Sequence, residues 1–168
     1  EARGINGGAA LGAYADAAGS AIAMGYEALA RSNGVAVGYQ SRGDNYSASL
    51  GFRAQSSNGV AAGAFANGLG QGTAVGYAAN GTTSGAAVGY EANGWGGCVA
   101  IGAYANAIAA ETAALGFQVT NDIASSTRVR GTLYIDGTGT ADANIKYRQT
   151  FGTGGWSTKT FTIDHPLD

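Results

Sequence analysis

The chain has 168 residues, 30 of them Gly and only 1 Pro, with 12% charged residues and a net charge of −2. That balance leaves no basic footprint for nucleic acid, and no apolar run reaches the length of a membrane-spanning helix. Hydrophobic residues make up 45% but are dominated by Ala, so one thin domain has little bulk to bury and association between chains is the expected remedy.

Residues 1–8 read as an incomplete coil. From residue 9 a short motif recurs nine times. The copies are Ala9-Ala10-Leu11-Gly12, Ile22-Ala23-Met24-Gly25, Val35-Ala36-Val37-Gly38, Ala48-Ser49-Leu50-Gly51, Val60-Ala61-Ala62-Gly63, Thr73-Ala74-Val75-Gly76, Ala86-Ala87-Val88-Gly89, Val99-Ala100-Ile101-Gly102 and Ala113-Ala114-Leu115-Gly116. Their glycines step by 13, 13, 13, 12, 13, 13, 13 and 14 residues. A fixed period of this size is the signature of a solenoid. About 13 residues is too short for strand, helix and strand, and it suits two short strands with two turns. Coils stack at the inter-strand spacing, so nine of them predict a rod about 43 Å long.

Alternate residues of a strand face opposite ways. Numbered from the motif glycine, positions −3 and −1 therefore share one face and −2 takes the other. The larger side chains at −1 (Leu11, Met24, Val37, Leu50, Val75, Val88, Ile101, Leu115) are expected to fill the roll interior. The flat column at −2 (Ala10, Ala23, Ala36, Ala61, Ala74, Ala87, Ala100, Ala114) is then expected to form the contact between chains. At +3 stands a further run of small residues, Ala15 to Val119, expected to face inward.

Each copy also carries one aromatic residue. Six follow the glycine directly; Tyr14, Phe65 and Tyr104 come one residue later. A one-residue shift in a strand flips the face, so those three are expected outside the ladder of the others. The column has two readings, stacking between coils or a sticky surface for protein or carbohydrate.

These motifs resemble the head repeats of trimeric autotransporter adhesins, the YadA-like head, whose pattern reads roughly S-V-A-I-G-x-x-A-x-A. Gly97-Cys98-Val99-Ala100-Ile101-Gly102-Ala103-Tyr104-Ala105 is the copy nearest to it. The resemblance spans residues 9–119. It implies a left-handed parallel β-roll, three chains to a head, and an extracellular place on a cell surface. Similar rolls occur in virus and phage tail fibres, which implies a virion appendage as the other location. The neck and coiled-coil stalk that usually follow such a head are not visible here.

Between the motifs lie the candidate partner contacts. Arg42-Gly43-Asp44 reads as a polar turn; it also has the form of an integrin-type loop, though a tripeptide alone does not establish one. Tyr46 lies in the same interval. Trp95, in Asn93-Gly94-Trp95-Gly96-Gly97, is expected to be exposed. Asn45-Tyr46-Ser47 and Asn80-Gly81-Thr82 fit the glycosylation sequon, a match that also arises by chance.

After Val119 the period is lost. Residues 120–126 read as a connector and 127–168 as a separate small β module. Its strands are expected at Arg128 to Ile135, Ala143 to Gln149 and Ser157 to Ile163, with turns at Asp136-Gly137 and Gly152 to Gly155. The chain shows no signal-peptide pattern and reads as a processed product or a segment of something longer.

The chemistry of catalysis is sparse. There is 1 His and 1 Cys, and neither a phosphate loop nor a nucleophile elbow occurs. His165 beside Asp164 reads as structural, and Cys98 as a small buried residue. No cofactor or metal is expected. The fold class is all-β, a parallel β-roll solenoid of about nine coils, homotrimeric, with a small C-terminal module. The function expected is a non-enzymatic extracellular fibre segment that presents or spaces a surface. Its partners would be itself, as a homotrimer or longer assembly, and a host or cell-surface protein or glycan, with no nucleic acid and no direct membrane insertion. A structural filament subunit is the alternative; an ice-binding solenoid would need a regular Thr array that the motif lacks.

Overall fold

In the computed structural model, residues 1–130 and the strands Lys146–Gln149 and Ser157–Thr160 are described. The chain divides into two compact units, Glu1–Thr132 and Leu133–Asp168. The first is a roll of two parallel sheets with ten strands each. The motif sheet starts with Ala9–Leu11 and Ile22–Met24 and ends with Ala113–Leu115 and Thr127–Val129. The second sheet starts with Arg3–Ile5 and Asp16–Ala18 and ends with Asn106–Ala107 and Thr120–Asn121. The chain alternates between the sheets, so each coil adds one short strand to both. Register is kept from coil to coil: Ala61 pairs with Ala74, and Ala74 with Ala87.

Two kinds of turn make a thirteen-residue coil possible. After the motif strand the chain turns over four residues, closed by a bond such as Ala79 N–H to Gly76 O, 3.4 Å. The third residue of that turn is left-handed even when it is not glycine, as at Gln40 (φ 52°) and Arg53 (φ 53°). The opposite turn uses two successive left-handed residues, such as Thr83 and Ser84 (φ 50° and 67°), which is the type I′ geometry of tight hairpins. The parallel ladders that run past each turn offset the cost of these conformations.

The motif glycines are dictated twice over. Their φ lies between 123° and 140°, outside the reach of an L side chain. They are also stacked on one another: a Cβ on Gly76 would overlap the carbonyl of Gly89 in the next coil. Gly76→Ala is therefore expected to destabilise the roll by about 1–3 kcal/mol from backbone strain, and by more from the clash. Gly96→Ala is the control. Its φ is 55° and an added Cβ meets nothing within 4 Å, so its thermal midpoint should move far less.

The interior reverses the faces expected from strand alternation. Ala23, Ala36, Ala61, Ala74, Ala87, Ala100 and Ala114 are fully buried within one chain. They share the interior with the +3 column, from Ala15 to Val119, and with small residues of the second sheet such as Ala17, Ala30 and Ser56. The corner before each motif strand adds a fourth small position, filled by Ala21, Ser47, Cys98 and Thr112 among others. Four small inward positions per coil leave a narrow, close-packed core. A Leu or Met has no room there, so the −1 side chains stand outside: Leu11, Met24, Leu50, Val75, Val88 and Ile101 are exposed, and Val37 and Leu115 half-buried. Only Ala10, in an end coil, is less than fully covered. The alanine column is thus core, not a contact between chains.

The boundary after Val119 also moves. Thr120–Asn121 pairs with Asn106–Ala107, and Thr127–Val129 pairs with Ala113–Leu115, so the roll runs on through the expected connector. Arg128 and Val129 belong to it and not to a separate module. The period is hidden in the sequence because Arg130 replaces the next motif glycine and Asn121 the next small inward residue. Asn121 is fully buried, and its amide donates to the carbonyls of Ala113 and Ser126, both at 2.9 Å. Guanidinium groups of Arg128 and Arg130 donate to the carbonyls of Thr120, Phe117 and Gln118 at this end.

In the second unit, Lys146–Gln149 and Ser157–Thr160 form an antiparallel pair, with Lys146 opposite Thr160 and Gln149 opposite Ser157. The later part of the strand expected at Arg128 to Ile135, from residue 131 on, the turns at Asp136-Gly137 and Gly152 to Gly155, and His165 lie outside the described residues.

Candidate interaction surfaces

Because the core takes almost only small residues, with Val119 and Asn121 the larger ones at its C-terminal end, the large aliphatic and aromatic side chains of the motif are displayed. The outer face of the motif sheet carries two columns. Ile22, Val35, Val60 and Val99 belong to the −3 column, and Met24, Leu50, Val75, Val88 and Ile101 to the −1 column. Successive strands hold them in register, as Val75 with Val88 and Val88 with Ile101. Among the described residues no ionisable side chain interrupts these columns before Arg130, which takes a motif-glycine position. Isolated surface aliphatics need no explanation, but a contiguous apolar face marks an interaction site.

One glycine beyond the −1 column runs the aromatic column. All nine rings join it, from Tyr14 to Phe117, with centroid spacings of 5.1–6.0 Å. The one-residue shift of Tyr14, Phe65 and Tyr104 does not remove them, contrary to the strand argument. They sit in a turn, not a strand, and at the left-handed position (φ 58–61°) their side chains reach the same corner. The shift shows only as ring tilt: Tyr26, Tyr39 and Phe52 lie within 10° of parallel, whereas pairs that include a shifted ring meet edge-on. Each ring is still about two-fifths exposed or more. A hydrogen bond to Glu91 and its charge push the Tyr90 hydroxyl up to about 12, and Glu27 raises that of Tyr26 by the same means.

Tyr39 stacks on Tyr26 at 5.2 Å and on Phe52 at 5.1 Å. Tyr39→Ala removes both contacts and should lower roll stability by about 1–3 kcal/mol. Tyr39→Phe should be nearly neutral. Melting curves at low protein concentration separate this loss from any effect on assembly.

The outer face of the second sheet is more polar: Asp16, Arg31, Arg42, Asp44, Gln55, Asn67, Asn80 and Asn93 lie on it, with Ile5, Leu29, Leu69 and Trp95 among them. Arg42–Asp44 is one of its strands, not a turn or a projecting loop. Gly43 points inward, and a Cβ there would overlap the carbonyl of Val35. Arg42 Nε donates to Asp44 Oδ2 at 2.7 Å, so the two charges first satisfy each other. Tyr46 follows in the turn and is 78% exposed. Trp95 ends the strand Asn93–Trp95, in the ladder and not in a loop, and is 55% exposed. All four candidate contacts therefore lie on the second sheet or the turn that leaves it. Asn80 of one sequon is half-buried and donates to Asn93; Asn45 of the other is exposed.

Among the described residues no three His, Cys, Asp or Glu side chains come together as a metal site, and no helix is long and apolar enough to cross a membrane. Cys98 is buried at an inner corner.

The chain matches no protein-family model and no curated protein. Among solved structures it is similar to the collagen-binding domain of the Yersinia adhesin YadA. The identity is 25%, the match covers 85% of this chain and 80% of that one, and the TM-score is 0.48. The parallel roll itself stands on its two ladders, registered coil by coil.

Proposed function

We propose that this chain is a non-enzymatic extracellular fibre segment, of the adhesin-head kind, that assembles as a homotrimer and offers its polar sheet to a partner. The observation that carries this reading is the two-sidedness of the roll. One outer face is a largely aliphatic ladder, free of ionisable side chains and flanked by a continuous column of nine aromatic rings, and the other carries most of the polar and charged strand residues. The rings alone, each about half exposed, amount to on the order of 800 Å² of surface, comparable with what one partner buries in a stable interface. Three is the number of chains that the head-repeat resemblance implies. Assembly through the motif sheet leaves the second sheet, with Arg42, Asp44, Tyr46 and Trp95, facing outward. An ice-binding role is not favoured, because the outward threonines (Thr73, Thr82, Thr120 and Thr127) are scattered over different columns.

The test is the mass of the purified chain by light scattering at micromolar concentration, together with its attachment to cells. Three times the chain mass with attachment supports the reading. A monomer would remove the assembly, and an open-ended polymer without attachment would favour a structural filament subunit.

A further inference from the structure

We propose that the C-terminal half of the second sheet's outer face binds a neutral oligosaccharide, with Trp95 as the stacking platform and the neighbouring asparagines as readers of its hydroxyls. This rests on the reading of that sheet as the face left free by assembly.

Successive strands place Asn67, Asn80, Asn93 and Asn106 in one register column. Leu69, Thr82 and Trp95 form the column beside it, and Ile108 follows Asn106 by two residues. Trp95 and Ile108 are about half exposed. None of these eight residues is ionisable. The N-terminal half of the same face differs, carrying Asp16, Arg31, Arg42 and Asp44. In the next coil Asp122 lies two residues past Thr120, the strand partner of Asn106, and pairs with Arg128 at 3.6 Å. A charged ligand laid on the eight residues themselves would lose hydration and gain no opposite charge, so that part of the surface is matched to an uncharged partner.

The groups present suit a pyranose. An indole face offers apolar area with low entropy cost, against which the C–H face of a sugar packs. A carboxamide both donates and accepts, as does a sugar hydroxyl. The amide ladder is also incomplete at this point. Asn67 Nδ2 donates to Asn80 Oδ1, and Asn80 Nδ2 to Asn93 Oδ1, both at 3.3 Å. Among the described residues no such bond continues from Asn93 to Asn106, and Asn106 Oδ1 is buried without a partner. The amide beside Trp95 thus keeps its donors for a ligand. Gly96 and Gly97, which follow the indole, have open space where a side chain would stand. Amides repeat along the axis at about the inter-strand spacing, so an extended oligosaccharide can contact several coils.

The experiment is binding of the assembled protein to an array of short neutral oligosaccharides of hexose and N-acetylhexosamine units, with sialylated and sulfated counterparts. Wild type is expected to bind neutral members. Trp95→Ala should weaken binding by about thirtyfold and Asn93→Ala by less, with mass and melting unchanged; Tyr46→Ala should leave binding intact. The proposal is overturned if assembled wild type binds no neutral member, if only charged members bind, or if Trp95→Ala binds undiminished. Assembly and cell attachment without saccharide binding would sink this site and leave the proposed function standing. Saccharide binding by a protein that proves monomeric would do the reverse.

Discussion

Ala74→Glu should unfold the middle of the roll. Ala74 is fully buried and lies in register between Ala61 and Ala87, which are fully buried too. A carboxylate there has no water and no cation, and the coils above and below leave no path outward. Burying an unpaired charge, or protonating it and still overfilling the space, should cost about 5 kcal/mol or more. In a solenoid each coil rests on its neighbours, so the loss should spread along the ladder. Circular dichroism should show loss of strand signal or a much lower midpoint, at any protein concentration. If Ala74→Glu instead kept its midpoint and merely lowered the assembled mass, the alanines would lie between chains, as strand alternation alone suggests.

Val88→Asp with Ile101→Asp should do the complementary thing. The two residues are paired across adjacent strands and are 39% and 46% exposed in the single chain. The isolated roll should tolerate both changes with a modest fall in midpoint. An assembly built on this face should not. It would have to bury two like charges directly opposite each other, which is unfavourable in any sheet pair. At about 2 kcal/mol or more for each lost anchor, roughly thirtyfold in affinity apiece, light scattering should show dissociation to folded monomers. Ile101→Ala alone should weaken assembly while hardly moving the monomer midpoint. An unchanged mass in the double variant would place the contact on another face.

Much of the fold is legible because it is written as a period. Glycines at about thirteen-residue steps exclude a helix and set the turns, and the ladder they imply is the one observed. The small column at +3 is equally plain. What misleads is the habit of placing large residues inside. Alternation says only that Val75 and Ala74 face opposite ways. A better signal is present in the same coils: −2, +3, and the inward position of the second sheet (Ala17, Ala30, Gly68, Gly81, Gly94) are all small together, so all line one narrow space. The aromatic column misleads for a similar reason, since a rule for strands does not hold for residues in a turn.

The candidate site is less legible than the fold. Arg42, Asp44, Tyr46 and Trp95 stand out as residues not committed to the motif, yet nothing in their order along the chain puts them on one sheet and its turn. That follows from coil geometry, which brings residues thirteen apart to neighbouring places. The asparagine column is hard to see in the sequence because Asn80 reads as part of a sequon and Asn93 as part of a glycine-rich loop, while Asn67 and Asn106 carry no local signal of their own.

By itself, then, the sequence determined the repeat, the all-β parallel roll, the need for glycine at the motif turn, and the overall shortage of charge. These are local properties: steric limits on φ, strand period and composition. Which face is core, how far past Val119 the ladder extends, and which polar residues share a surface were decided only by the tertiary structure. They depend on the width of a closed coil, where four inward positions must fit between two sheets at once. No single strand carries that information.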